Sequence, residues 1–161
     1  MTPIRLTAAL GLTVLAAAAA ASKPARAQDY VWHAAIPGES VQYGVPDTDD
    51  RGLRIDCEGR GRLSIMGPTA SEGAEGSALD VRLRVPPAPP RTVPGDVIAL
   101  GDGANFHVVV APGDPALAAL LAGKDLTVGS AGDVWTVPGA GAPRVLADLL
   151  AACAAAPPSA P

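Results

Sequence analysis

Three carboxylates fall within four residues at Asp47, Asp49 and Asp50, preceded by Tyr43-Gly44-Val45-Pro46 and followed by Arg51. This is the densest group of chemically capable side chains in the sequence. An oxygen-rich loop of this kind can hold a hard cation such as Ca²⁺. The segment lacks the ordered ligand spacing and distal glutamate of an EF-hand loop, so a polar turn or cap, paired with Arg51 or Arg54, is the preferred reading. A recognition surface comes next, with Tyr43, Asp47, Asp49, Asp50 and Arg51 as its candidate binding residues.

His33 and His107 are the two histidines of the chain, and both sit in strand-like runs without a second ligand at close metal spacing. Each reads as a packed strand residue. Ser64 and Ser71 stand in no nucleophile-elbow sequence. A small hydrolase would have to assemble His33 or His107 with a hydroxyl and a carboxylate in space. Gly139-Ala140-Gly141-Ala142-Pro143-Arg144 superficially resembles a dinucleotide-binding turn, but its third glycine is missing and too little chain follows for a βαβ unit. It reads as a strand-to-helix turn. The expectation is therefore no catalytic residues, no metal ligands and no cofactor.

These residues must be positioned by one small domain. A chain of 161 residues excludes a large multidomain enzyme, and 18 Gly with 17 Pro favour many short elements and turns. Arg5 precedes an apolar stretch at 6–21, broken by Ser22, Lys23 and Pro24, and Ala25-Arg26-Ala27 offers a small-x-small cleavage site. That is the pattern of a secretory signal peptide over 1–27. Its sixteen apolar and small residues fall short of the roughly 20 that a spanning helix needs, and no other stretch is long enough, so no stable membrane span is expected after cleavage.

Removing 1–27 takes away three basic residues and no acid, which leaves 9 basic and 16 acidic residues and a formal charge of −7. Nucleic acid is excluded as a partner by that balance, because it rewards clusters of Lys and Arg. An unknown protein or small ligand, cationic ones included, stays open. In an oxidising compartment the two cysteines, Cys57 and Cys153, are most simply read as one disulfide.

Leu79, Val81, Leu83 and Val85 alternate with Asp80, Arg82 and Arg84, which predicts a half-buried strand. Hairpins are predicted for 96–100 with 105–110, for 126–128 with 134–137, and for 53–57 with 62–66. Asp114, Pro115 and Gly123 bracket a short helix carrying Leu117, Leu120 and Leu121. A C-terminal helix starting near Pro143 places Val145, Leu146, Leu149, Leu150 and Cys153 on one stripe. Pro86, Pro87, Pro89, Pro90 and Pro94 read as a stiff connector outside any central ladder. The fold class is mainly β, an antiparallel sandwich or barrel-like sheet over 28–153 with a short internal helix and a C-terminal helix. Residues 154–161 are expected to form a disordered tail.

The order of the acidic segment, the Cys57 strand and a helix ending in Ala151-Ala152-Cys153 resembles small exported proteins of alphaproteobacteria that carry no assigned function. It is also distantly similar in layout to invasion-associated-locus-B-type and type VI secretion accessory domains, where a β-domain ends in a short helix with a cysteine. The resemblance implies no catalytic residues. The expectation is a periplasmic or secreted, non-catalytic binding or accessory protein of the cell envelope, with a small periplasmic hydrolase or an inhibitor of an envelope enzyme as alternatives.

Overall fold

The computed structural model describes residues 30–59, 61–100 and 103–155; the expected signal peptide and residues 156–161 of the expected tail lie outside them. Among the described residues nine strands are β1 (Val31–Ile36), β2 (Ser40–Gly44), β3 (Arg51–Cys57), β4 (Leu63–Pro68), β5 (Ala78–Arg84), β6 (Arg91–Leu100), β7 (Gly103–Val110), β8 (Leu126–Ser130) and β9 (Asp133–Val137). They form one antiparallel sheet in the order β1-β2-β3-β4-β7-β6-β5-β8-β9, curled into a half-barrel. Of the two expected arrangements, the barrel-like sheet is therefore the one adopted.

Period-2 alternation decides which face is buried. In β5, Val81 and Leu83 are buried while Asp80, Arg82 and Arg84 are exposed. Across the sheet Ile55 pairs with Ile65 and Ile65 with Val108, while Leu63 pairs with Val110, so matching registers lay aliphatic rows along the inner face. A one-residue slip would turn these rows outward, which is why burial specifies the register. All three hairpins expected from the sequence are present.

Helices α1 (Pro115–Leu121) and α2 (Ala142–Ala155) cover the inner face, where Leu117, Leu120, Leu146 and Leu149 join the strand aliphatics in one core. Asp114 caps α1 by accepting the amide of Ala116 at 2.8 Å, Pro115 occupies its first turn, and Gly123 leaves it at φ 69°. That positive φ suits a residue without Cβ. On α2, Leu146, Leu149 and Cys153 recur at helical spacing and are buried. Cys153 is bonded to Cys57 of β3, with a Cα–Cα distance of 5.6 Å. The helix stripe thus reaches the expected strand.

Two sequence expectations require correction. Ala154 and Ala155 belong to α2 rather than to a tail. Pro94 lies within β6, a central strand, opposite Asp80 of β5. Its missing amide is tolerated because the β6–β7 ladder ends at Asp96–His107, so β6 at Pro94 is paired on the β5 side alone.

Candidate functional site

The acidic segment is the connection between β2 and β3. Val45 N donates to Asp50 O at 2.9 Å, and Thr48 Oγ1 donates to Val45 O at 2.9 Å while accepting the Asp50 amide at 3.2 Å. The side chain of Thr48 thus closes the turn from within. Asp47 adopts φ 61°, a left-handed conformation that aspartate tolerates better than most residues. Gly44 is required by close approach: a Cβ there would lie 2.6 Å from Asp50 O and 3.0 Å from Arg51 Cα.

The five candidate binding residues divide into two groups. Tyr43, in β2, turns its ring to the inner side, with centroids 5.4 Å from Tyr30 and 5.6 Å from Trp32. Asp50 accepts the Tyr30 hydroxyl. This hydrogen bond, reinforced by burial and by the nearby charge of Asp50, pushes the Tyr30 phenol up to about 12. Arg51 starts β3 opposite Gly44. Neither Arg51 nor Arg54 pairs with the turn among the described residues; Arg54 binds Asp56 at 2.7 Å instead, because the two side chains project from the same face of β3.

Asp47 and Asp49 remain exposed and carry no ion pair among the described residues. With His33, Ala34, Gln42 and Thr48 they line a shallow depression of about 300 Å³. His33 and Gln42 are register partners on neighbouring strands, which brings β1 and β2 to the side of the turn. The His33 Nδ1 lies 3.1 Å from Val31 O, and a carbonyl partner requires that nitrogen to carry the proton.

Sequence reasoning did not associate His33 and Gln42 with the acidic segment. The missed signal was Pro37-Gly38. Gly38 has φ 76° and Glu39 N donates to Ile36 O at 3.0 Å, a Pro-Gly turn that makes β1 and β2 a hairpin. Once that hairpin is recognised, its register places residue 33 opposite residue 42.

The other sequence candidates stay apart. His33, Gln42, Arg54, Met66, His107 and Asp96 form one transverse row through consecutive strand pairs, so the two imidazoles stand four strand spacings apart. At about 4.8 Å per spacing this is roughly 19 Å, too far for a shared site. His107 has Asp96 Oδ1 2.9 Å from Nδ1 and Glu58 Oε1 3.4 Å from Nε2. Ser64, on the same face between Asp56 and Val109, is fully buried and its hydroxyl has no hydrogen-bond partner among the described residues. Ser71 instead accepts the Gly73 amide at 3.2 Å. Among the described residues, neither imidazole therefore contacts a serine hydroxyl.

The strand-to-helix turn at 139–144 is also occupied by its own chain, since Gly139 N donates to Asp125 Oδ1 at 3.0 Å. Among the described residues no group of three or more His, Cys, Asp or Glu is placed to hold a metal ion. Comparison with family models, curated proteins and solved structures finds no match to this chain. The depression beside the β2–β3 turn is thus identified by its own geometry.

Proposed function

We propose that this chain is an exported, non-catalytic binding protein of the cell envelope, which recognises its partner through the β2–β3 turn and the adjoining depression. The observation that carries this reading is the contrast between Asp50, committed to Tyr30, and Asp47 and Asp49, exposed on a hydrogen-bonded turn without ion-pair partners among the described residues. Carboxylates held in fixed positions recognise a cationic surface at a smaller ordering penalty than carboxylates on a loose loop. Export is supported by the signal-like sequence at 1–27, and the disulfide is compatible with it. No helix among the described residues is long and apolar enough to cross a membrane.

The test is site-specific photocrosslinking from Thr48, in the full-length chain expressed with its own leader. A discrete adduct in the envelope fraction that disappears in the Asp47→Asn/Asp49→Asn double variant is the expected result. An adduct unchanged by the double variant, or no adduct from Thr48, would overturn the assignment of this surface.

A further inference from the structure

We infer that the depression beside the β2–β3 turn is a subsite for an alkylguanidinium group, presented as an arginine side chain of the partner. This deepens the proposed function and rests on it. The deciding residue is Gln42. Gln42 is 6% exposed and lines the depression, yet among the described residues its carboxamide makes no hydrogen bond. Buried amides are ordinarily paired, so an unpaired one facing a depression marks a place where a ligand can supply the partner.

The surrounding groups define the chemistry of that ligand. Asp47 and Asp49 offer carboxylate oxygens from the turn, and they are joined in the lining by His33 and by Gln42, whose carboxamide includes an acceptor oxygen. With Nδ1 bonded to the Val31 carbonyl, the neutral His33 ring leaves Nε2 as an acceptor. The depression is therefore rich in acceptors and approached from several sides. A guanidinium matches it with five N–H donors in one plane, whereas an ammonium is a compact, strongly hydrated point charge. A volume of about 300 Å³ accommodates the planar head and part of its stem.

The test is an NMR titration of the oxidised protein with N-acetyl-arginine amide, run beside the lysine and citrulline analogues. Saturable shifts at the amides of His33, Gln42, Thr48 and Asp49 are expected with the arginine compound alone. Gln42→Met keeps the length of the side chain and removes both polar atoms; it should weaken arginine binding roughly tenfold, as expected for loss of one hydrogen bond to a charged group. Unshifted resonances on β5 and β8 confirm that the variant is folded, and Gln42→Glu, which preserves an acceptor, should retain binding. Equal binding of the lysine or citrulline analogue, or unchanged arginine affinity in Gln42→Met, would overturn the guanidinium assignment. If arginine fails to bind while the Thr48 crosslink persists, this inference falls and the broader function stands; loss of both removes both.

Discussion

The indole of Trp32 donates to the carbonyl of Pro138 at 2.7 Å, joining residues 106 positions apart. Trp32 lies on edge strand β1, and Pro138 leaves β9, the opposite edge of the same sheet. The half-barrel is thereby fastened across its open side by one side chain, with α2 packed against β1, β2 and β3 beside it. The other tryptophan, Trp135, packs on Phe106 at 5.9 Å, but its buried indole nitrogen has no hydrogen-bond partner among the described residues.

The two tryptophans should therefore respond differently to the same substitution. Trp32→Phe removes the cross-edge hydrogen bond and leaves the Pro138 carbonyl without its donor, a loss of about 1–3 kcal/mol. Trp135→Phe forfeits ring area but no hydrogen bond, so its loss should be the smaller. Urea unfolding of both variants, followed by far-UV circular dichroism, checks the order. Equal destabilisation would show that Trp32 contributes through burial alone.

The disulfide gives a second prediction. Cys57 and Cys153 are separated by 96 residues, so the bond restricts nearly the whole described chain in its unfolded state. For a loop of this length the chain-entropy model gives roughly 4–5 kcal/mol. Urea titrations with and without reductant should differ by an amount of this order, and after reduction the first amides to lose hydrogen-exchange protection should be those in the last turns of α2. A midpoint insensitive to reductant would mean that α2 is held chiefly by its Leu146 and Leu149 contacts.

Much of this architecture was legible because its signals were local. Alternation from Leu79 to Arg84 gave β5, the Asp114-Pro115 and Gly123 pair bracketed α1, and the stripe ending at Cys153 gave α2 with its disulfide partner. Pro94 misled because a proline's missing amide is prohibitive only where that amide would face a paired strand, β6 at Pro94 is paired with β5 alone, and register is not written in composition. The site was half legible for the same reason. Asp47 and Asp49 stand out in sequence, whereas Gln42 is an ordinary polar residue until the β1–β2 register sets it beside them.

Tyr30 supplies a pH-dependent prediction. Its hydrogen bond to Asp50, with smaller contributions from burial and from the Asp50 charge, pushes the phenol from 10.0 up to about 12. The folded state therefore holds this proton more tightly than the unfolded chain does. Between pH 10 and about 12 the unfolded state has released the proton while the folded state keeps it, so stability falls as pH rises through that window. Below pH 10 the contribution is fully present. Absorbance titration of tyrosinate in a Tyr43→Phe background isolates Tyr30. Asp50→Asn should bring its midpoint back toward 10, because the acceptor charge is removed, and should flatten the alkaline decline in stability. A midpoint that stays near 12 in Asp50→Asn would assign the shift to burial of the phenol rather than to the hydrogen bond.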